Sequence, residues 1–381
     1  MAIKNDCAEH AESVPFPDLA WRRKLRRQLL NWFRRNARDL PWRDAPTPYQ
    51  TWVSEIMLQQ TQVATVVEYY QRFIIQFPDV QTLASATEQE VLRYWEGLGY
   101  YRRARQLHLA AKTIMTTHGG CFPTTFPEVL ALPGIGRYTA GAILSISLGL
   151  RHPIVEANTI RLFARLLHVS SEVTATQTQK LFWEFAAWIL PYKHLSEFNQ
   201  ALMEVGSLIC KPKSPACDEC PLSTLCPTFV SQAFDKIPKP KQKIEFEQVQ
   251  EVAVVVQHRD GHRVLLRQCE ANQRWAGLWD FPRFECNIKS SQKLTTTEQQ
   301  QIAAETHDLA YVQIDDLIPL TSIKHGVTKY RITLNCYSAK LKRDQTAKNP
   351  TLQWVSLAEL DNYPLSTTGR KICNVLNREH L

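Results

Sequence analysis

The sequence lacks long apolar segments: no run approaches the roughly 20 residues that a membrane helix needs, so we expect no membrane-spanning helix. The first 17 residues contain no apolar core of the kind found in signal peptides, and we expect a short mobile tail there. Neither an internal repeat nor a low-complexity tract interrupts the chain. With 44% apolar residues among 381, the chain can build real cores, and its length suggests two or three domains.

A disulfide framework is also missing from the pattern, although ten cysteines are present. Six of them are scattered, and the other four follow the spacing C-x6-C-x2-C-x5-C at Cys210, Cys217, Cys220 and Cys226. Four thiolates within 17 residues can surround one metal centre. This chemistry alone allows structural zinc or a [4Fe-4S] cluster. The pattern therefore predicts one metal site in a reducing, cytoplasmic compartment.

The charge bias is mild, with a net charge of +8, but its distribution is uneven. Between Trp21 and Arg43 there are nine basic residues and one acidic residue. Leu25, Leu29 and Trp32 recur at helical spacing, which predicts a helix with one buried stripe and a basic outer face. Such a face is either simply solvated or contacts phosphate groups, and the sequence leaves both open.

The pattern of apolar and polar residues changes twice along the chain. From about Asp18 to Phe198 the apolar spacing is almost entirely helical. The predicted helical stretches are 52–73, 83–95, 104–116, 127–130, 138–149, 159–168 and 177–190. Residues 227–247 combine prolines with lysines, which is typical of a linker.

Beyond the linker the pattern mixes strands and helices. Strands are predicted at 252–257, 264–267 and 330–337, with an Asp260-Gly261 hairpin turn, and helices at 357–360 and 369–377. We therefore expect a tail (1–17), a helical domain (18–226), a linker (227–247) and an α+β domain (248–381).

A glycine-rich hairpin lies between two of the predicted helices, at Leu132-Pro133-Gly134-Ile135-Gly136. Glycines such as Gly134 and Gly136 let the backbone turn tightly and approach a ligand closely. The free amides at the start of the following helix form an anion site. The hairpin therefore predicts a phosphate contact, with an ordinary helix–helix turn as the alternative.

Two acids stand where carboxylate chemistry is plausible. Glu55 lies among apolar neighbours such as Trp52 and Ile56, and burial there would raise its pKa so that it carries a proton at neutral pH. A lone Glu in an apolar helix is otherwise a paired core acid. Glu156 precedes the predicted helix 159–168, and the dipole of that helix would keep it ionised.

The segments Leu40-Pro41-Trp42-Arg43 and Trp52-Val53-Ser54-Glu55-Ile56-Met57-Leu58-Gln59-Gln60-Thr61-Gln62-Val63, together with the hairpin and the cysteine loop, resemble the MutY-type adenine DNA glycosylases. The resemblance is dense over about 20–226 and loose over 248–381. It implies a mostly α, helix-hairpin-helix glycosylase fold with an iron–sulfur loop, followed by a smaller α+β Nudix-like domain. It also implies a [4Fe-4S] cluster rather than zinc.

The resemblance assigns catalytic roles. Glu55 would protonate N7 of adenine, which makes the base a better leaving group. The family's second acid opens a D-G-N motif and faces the sugar. The matching residues here are Glu156-Ala157-Asn158, a departure in which the charge is kept but the side chain is one methylene longer. We still expect activity, with Tyr138 and Asn158 orienting the sugar-side groups.

Tyr138 separates the subfamilies. Lyase-type relatives carry a lysine at the matching place, which forms a Schiff base with the sugar. The tyrosine therefore implies base removal without efficient strand cutting.

The resemblance also supplies residues that open and read the duplex. Gln60 and Tyr100 would fill the stack after a base is extruded. Trp42, Arg43 and Gln200 would contact adenine.

In the second domain, the segment Trp275-Ala276-Gly277-Leu278-Trp279-Asp280-Phe281-Pro282 carries the Nudix-like resemblance. The hydrolytic Nudix box is missing, so this domain should bind and not hydrolyse. The family reads 8-oxoguanine through a Phe-Ser-His loop, and Val327-Thr328-Lys329 is the counterpart, in which Thr328 keeps the hydroxyl.

The sequence thus predicts a cytoplasmic, monomeric glycosylase acting on double-stranded DNA, at adenine mispaired with 8-oxoguanine or guanine. One alternative is an endonuclease III-like pyrimidine-lesion glycosylase/lyase, against which Tyr138 argues. Another is a non-catalytic lesion-binding protein, made possible by Glu156. A third is a nucleotide-pool hydrolase, which the missing Nudix box disfavours.

Overall fold

The computed structural model describes residues 16–240, 245–286, 294–344 and 349–379. These residues form two compact units. The first comprises 16–55, 124–131 and 135–240, and the second comprises 56–123, 132–134 and the described residues from 245 onward. This division does not follow the predicted boundary near residue 226, because residues 56–123 group with the C-terminal domain.

Helices dominate the described residues up to 240. They are α1 (Leu19–Asn36), α2 (Pro48–Leu58), α3 (Val63–Gln76), α4 (Val80–Ser85), α5 (Glu88–Trp95), α6 (Arg102–Thr117), α7 (Phe126–Ala131), α8 (Arg137–Ser147), α9 (Ala157–Leu166), α10 (Thr176–Ile189), α11 (Leu195–Leu208) and α12 (Pro227–Val230). No helix among the described residues has the length and apolarity needed to cross a membrane.

The helices differ from the prediction in three places, and two of these differences have local causes. The periodic stretch 52–73 is two helices, because the chain turns at Gln59–Gln62 between α2 and α3. The stretch 83–95 is also split, since Thr87 forms a capping box with Glu90 and starts α5. Helix α11 was not predicted at all.

The core of the first unit is built by α1, α9, α10 and α11. Leu25, Leu29 and Phe33 form the buried stripe of α1, so Phe33 takes the place predicted for Trp32, which is only half-buried. They pack into a cluster with the aromatic side chains of Phe163, Phe182, Phe185 and Phe198. This cluster holds α9 and α11, which carry the groups described below.

Part of the basic face of α1 contacts other elements of the protein. Arg22 and Arg26 donate to the carbonyl oxygens at the end of α10, with Arg26 Nε 2.6 Å from the Ile189 oxygen. Guanidinium groups here satisfy carbonyls that the last helical turn leaves free. Arg34 pairs with Glu197 at 2.7 Å. Arg22 and Arg26 therefore help to end α10, a contact that the sequence did not predict, whereas Arg34 forms a solvent-exposed ion pair.

The ends of the helical region are better packed than the sequence suggested. Residues 1–15 of the predicted tail lie outside the described residues, but Phe16 packs against Phe185, with ring centroids 5.5 Å apart. In the predicted linker, 227–230 form α12 and Ile237 is 3% exposed in the core of the first unit. The apolar side chains of this segment therefore make it part of the helical unit up to residue 240. Residues 241–244 of that linker lie outside the described ranges.

A mixed sheet forms the centre of the C-terminal domain. Its strands are β1 (Glu247–Gln257), β2 (Arg263–Gln268), β3 (Trp279–Asp280), β4 (Arg283–Glu285), β5 (Val312–Val327), β6 (Tyr330–Asp344) and β7 (Leu352–Ser356). The strand order is β3-β2-β1-β6-β5, with β4 paired to β1 and β7 paired to β2. Strands β1 and β6 run parallel, and the other pairs are antiparallel.

Two helices cover the two faces of this sheet, α13 (Thr296–Ala310) and α14 (Thr367–Glu379). Alternate residues of β1 enter different clusters: Val254 packs on the side of α13, and Val255 on the side of α14. Burial on both faces explains the unbroken apolar run of this strand. Helix α13 and strands β3, β4, β5 and β7 were not predicted, while the α+β character of the domain is as expected.

Candidate active site

Glu55 is a buried acid on α2, with 4% of its surface exposed. Burial raises the pKa of its carboxyl group to about 7, because the charged form loses its hydration. The Tyr138 hydroxyl, from the first turn of α8, donates to Glu55 Oε2 at 2.5 Å. Glu55 is therefore a group that holds a proton near neutral pH.

Glu156 is the N-cap residue of α9. Its Oε2 accepts from the Asn158 amide and its Oε1 from the Thr159 amide, both at 2.8 Å. Burial raises the pKa of Glu156, although these two amides lower it. The sequence predicted a carboxylate stabilised by the helix start. The structure contains those bonds, but burial outweighs them.

The two acids and Tyr138 belong to one site. The charge of Glu156 raises the pKa of Glu55. After burial, the charges of both acids further raise the pKa of the Tyr138 phenol, to well above its ordinary value. Two carboxyl groups with raised pKa values and one neutral phenol are the equipment of acid-assisted bond cleavage.

A third acid, Glu204 on α11, was missed by the sequence analysis. It is 1% exposed and pairs with Arg38 and Arg43, each at 2.8 Å. Although burial raises it, bonds from these arginines bring the pKa of Glu204 down to about 2. The charge of Arg43 in turn lowers the pKa of Glu55, so the Arg43–Glu204 ion pair lies beside the site. The signal was a Glu on an apolar helix, but α11 itself had not been predicted.

The other residues expected to contact adenine lie in the same unit. Trp42 is 8% exposed and directly precedes Arg43. Gln200 is half-buried on α11, one turn before Glu204, and its Nε2 donates to Ser196 Oγ at 3.1 Å. Residues four apart share a helix face, so Gln200 and Glu204 are presented together.

Asn158 is held between α9 and α11. Arg161 Nη2 donates to Asn158 Oδ1 at 2.8 Å and to the Gly206 carbonyl at 2.6 Å. A Cβ atom on Gly206 would come within 2.8 Å of Asn158 Cβ, so only glycine allows this approach. Arg161 Nε also donates to the Cys210 carbonyl at 2.6 Å, which ties the cysteine loop to the start of α9.

In the second unit, Gln60 and Tyr100 share an unusual backbone. Both are exposed and both have a positive φ, 59° and 47°. Non-glycine residues rarely adopt this conformation, and it persists where the surroundings impose it. Here Arg103 supplies the constraint.

Arg103 connects the segments that carry Gln60 and Tyr100. Its guanidinium donates to the Ile56 and Met57 carbonyls at 2.8 and 2.9 Å and to the Gly99 carbonyl at 3.2 Å. It also lies over the Tyr100 ring, 5.6 Å from the centroid. One half-buried cation therefore shapes both predicted stack-filling positions, a role that no local pattern indicates.

The glycine hairpin connects α7 to α8. Gly134 has a φ of +76°, and a Cβ atom there would lie 2.6 Å from Gln106 Cβ, so this glycine is required for both reasons. Gly136 differs from the prediction: it is the N-cap of α8 with an ordinary φ of −101°, and a Cβ atom would meet no protein atom. Its missing side chain leaves open the space before the amides of α8.

The four cysteines predicted to bind metal line one pocket in the first unit. Among the residues that the structure describes, no three or more His, Cys, Asp or Glu side chains are arranged so that they could bind one metal ion. Arg165 Nη1 lies 3.2 Å from Cys210 Sγ, and Arg165 is only 3% exposed. Its other partners are the Lys211, Pro212, Phe234 and Ile237 carbonyl oxygens.

A buried guanidinium without a carboxylate among these partners fits an anionic group held by thiolates. A [4Fe-4S] cluster is an anionic group of this kind, and Cys210, Cys217, Cys220 and Cys226 would bind it. When bound, the cluster would cross-link the loop 210–226 and hold its shape.

Thr328, in the C-terminal domain, lies in a two-residue turn between β5 and β6. It is exposed and has a φ of 49°. The predicted reading loop is thus a tight hairpin tip, with Val327 paired to Tyr330. Lys329, the other residue of this turn, donates to Glu247 Oε1 at 2.7 Å.

Comparison with known proteins agrees with this architecture. Residues 53–187 match the model of HhH-GPD superfamily base excision DNA repair proteins, 210–226 match the iron-sulfur binding domain of endonuclease III, and 252–375 match a NUDIX domain. A solved thermostable thymine-DNA glycosylase is 28% identical with a TM-score of 0.52, covering 56% of this chain and 98% of that one. The fold and site thus define a helix-hairpin-helix base excision repair enzyme with an iron–sulfur loop.

Curated relatives show which family of base excision repair enzymes the chain belongs to. The adenine DNA glycosylase of Buchnera aphidicola subsp. Schizaphis graminum is 37% identical over 263 residues, 69% of this chain and 75% of the relative. That of Rattus norvegicus is 31% identical over 416 residues, 94% of this chain and 79% of the relative. The chain belongs to the adenine DNA glycosylase family, and its cofactor is a [4Fe-4S] cluster.

Proposed function

We propose that the protein removes adenine mispaired with 8-oxoguanine or guanine from double-stranded DNA by hydrolysing the N-glycosidic bond. The observation that carries this is the buried Glu55, whose pKa is about 7 and whose site contains a second carboxyl group, Glu156. Such a pair can deliver a proton to a base and stabilise positive charge on a sugar.

Glu55 is the proton donor. Its Oε2 accepts from Tyr138, which leaves Oε1 to carry the proton toward N7 of an extruded adenine. As the C1′–N9 bond breaks, its electron pair moves into the purine, and the proton on N7 neutralises the departing base. Adenine thereby leaves as a neutral molecule.

Glu156 acts on the deoxyribose, from which the base departs in the same step. When C1′–N9 breaks, the deoxyribose becomes oxocarbenium-like, and a nearby carboxylate lowers the barrier. The amides of Asn158 and Thr159 hold both of its oxygens, so the carboxylate keeps a fixed position. A water molecule adds its hydroxyl group to C1′, and the proton that it loses restores the acid form of Glu55.

Recognition of the base rests on the Glu204 pair. Arg43 and Glu204 bring a donor and an acceptor side by side near Glu55, which suits the N–H and ring-nitrogen pattern of adenine. Trp42 and Gln200 would line the same space.

Gln60 and Tyr100 are the side chains we propose to fill the vacated stack, and the hairpin at Gly134 and Gly136 would bind phosphate through the amides of α8. The protein would act as a monomer on cytoplasmic DNA. The Thr328 turn would read the base opposite adenine.

A lyase reaction is not favoured. It needs an amine nucleophile, and residue 138 is a tyrosine whose hydroxyl is bound to Glu55. A non-catalytic lesion-binding protein remains the alternative of another class, because Glu156 departs from the family's aspartate.

The test is single-turnover adenine release from duplexes with A:8-oxoguanine, A:G and A:T pairs. Wild type should release adenine from the first two, and Glu55→Gln and Glu156→Gln should each lose roughly 100-fold or more. Glu184→Gln, an exposed exchange of the same kind, serves as the control. Tight binding without release by wild type would establish the lesion-binding alternative, and nicking without alkali the lyase.

A further inference from the structure

The loop Gly97–Tyr100 is anchored by the C-terminal domain on the side where it begins. Glu96, directly before the loop, accepts from Arg370 Nε at 2.7 Å and from Arg370 Nη2 at 3.0 Å. The Leu365 amide adds a third bond to Glu96 at 3.1 Å. The Glu96 and Arg370 side chains are only 9% and 18% exposed, so this is a shielded, two-pronged ion pair.

The loop is anchored on its other side as well. Tyr101, directly after it, is 8% exposed, and its hydroxyl forms a hydrogen bond with the side chain of Thr367. The same hydroxyl accepts from the Gly97 amide at 3.2 Å, which closes the loop on itself. Thr367 and Arg370 both belong to the first turn of α14. One helix start therefore fixes both ends of the loop.

A second set of contacts joins the C-terminal domain to α5, the helix that leads into the loop. Gln89 on α5 donates to the Gly277 carbonyl at 2.9 Å and accepts from Trp279 Nε1 at 3.0 Å. A Cβ atom on Gly277 would lie 3.2 Å from Leu92 Cδ1, so the chain packs closely against α5 at this glycine. These contacts lie inside one compact unit, so the C-terminal domain touches the elements on both sides of the loop.

We propose that Arg370 and Glu96 are positioning residues through which the C-terminal domain holds the Gly97–Tyr100 loop in the shape that enters the base stack. This inference rests on the proposed function, in which Tyr100 fills the gap left by adenine. It gives the C-terminal domain a role in base extrusion that is separate from reading the opposite base. The role applies equally at A:8-oxoguanine and A:G pairs.

The positive φ of Tyr100 explains why anchoring matters. A tyrosine at φ 47° relaxes toward ordinary backbone once its surroundings loosen. Arg103 holds the loop from the side of α2, and the Arg370–Glu96 pair holds it from the side of α14. Loss of either support should misplace the Tyr100 ring.

The experiment uses the full-length protein carrying its cluster, as wild type, Arg370→Met, Glu96→Gln and the charge-swapped double variant Glu96→Arg/Arg370→Glu. Arg263→Met, which breaks an ion pair with Asp260 in the same domain, is the control. Adenine release is measured at single turnover on A:8-oxoguanine and A:G duplexes across pH. Extrusion is followed by the fluorescence of 2-aminopurine placed beside the adenine.

Arg370→Met and Glu96→Gln should each slow release roughly tenfold or more, by the same factor on both duplexes, as expected for a misplaced group. The fluorescence rise should shrink in parallel, and the pH at which the rate falls should not move. The swapped pair should recover part of the loss. Should Arg370→Met fail to fold, the isosteric Glu96→Gln carries the test.

Wild-type rates and fluorescence in both single variants would overturn the inference, as would a loss confined to A:8-oxoguanine, which would place the pair in lesion reading. If wild type releases no adenine from any duplex, the proposed function fails instead. The fluorescence comparison then still decides whether the pair supports extrusion.

Discussion

The Tyr138 hydroxyl donates to Glu55 Oε2 at 2.5 Å, so the residue expected to set this chain apart from lyase-type relatives is also the direct partner of its proposed acid. Burial raises the pKa of Glu55, and this hydrogen bond opposes the rise because it favours the carboxylate. The balance leaves the pKa near 7, where a carboxyl group can both hold a proton and release it.

Replacing Tyr138 by phenylalanine should shift the pH dependence upward. In wild type the hydrogen bond from Tyr138 lowers the pKa of Glu55. Its removal therefore raises that pKa and keeps the acid protonated to higher pH. The alkaline fall in the rate of adenine release should then begin at higher pH than in wild type. Tyr192→Phe, at a tyrosine that is 81% exposed, should leave the profile unchanged. A downward shift in Tyr138→Phe would contradict the assignment.

Gly206→Ala should impair catalysis from outside the reacting groups. Its Cβ would lie 2.8 Å from Asn158 Cβ and 2.9 Å from the Asn158 carbonyl oxygen, which forces α11 and the start of α9 apart. A displacement of about 1 Å at Glu156 and Asn158 would cost roughly a hundredfold in single-turnover rate. The melting temperature should also fall, whereas Gly136→Ala, with open space around it, should melt as wild type does. An unaltered rate in Gly206→Ala would refute the coupling.

Arg165→Met should weaken retention of the iron–sulfur cluster. The substitution removes the bond to Cys210 Sγ and the bonds that hold the Lys211, Phe234 and Ile237 carbonyl oxygens. Breaking a buried charged network of this kind costs about 3–5 kcal/mol. Iron per chain and visible absorption should both drop, while Arg151→Met, at an arginine outside this loop, should retain the cluster. Full iron content in Arg165→Met would show that the cation is dispensable.

Several features of the fold and the site can be predicted from short segments of the sequence. The spacing of Cys210 to Cys226, the glycine at 134 and the Asp260-Gly261 turn each require only neighbouring residues, and all three lie where expected. The acids at 55 and 156 could also be found from their local context, Glu55 among apolar neighbours and Glu156 before a helix, although the rise in the pKa of Glu156 was not expected.

Other features depend on residues far apart in the chain. Glu204 meets Arg38 and Arg43 only after α11 has packed beside α1, and nothing near Glu204 announces those partners. Arg22 and Arg26 cap α10 across more than 160 residues of sequence, so a count of charges could only suggest a basic face. For the same reason, local periodicity could not show how helices 56–123 group with the C-terminal sheet.

The most direct test of the account is the pH dependence of single-turnover adenine release by wild type and Glu55→Gln. At low pH the wild-type rate should decline as Glu156 gains a proton, and if Glu55 is the proton donor the rate should be highest just below the Glu55 pKa of about 7. Above that value it should fall by about tenfold per pH unit as the acid loses its proton. Glu55→Gln should be slow by roughly 100-fold or more at every pH. A wild-type rate that stays level well above neutral pH, or a Glu55→Gln variant that keeps the wild-type rate and profile, would contradict the central claim.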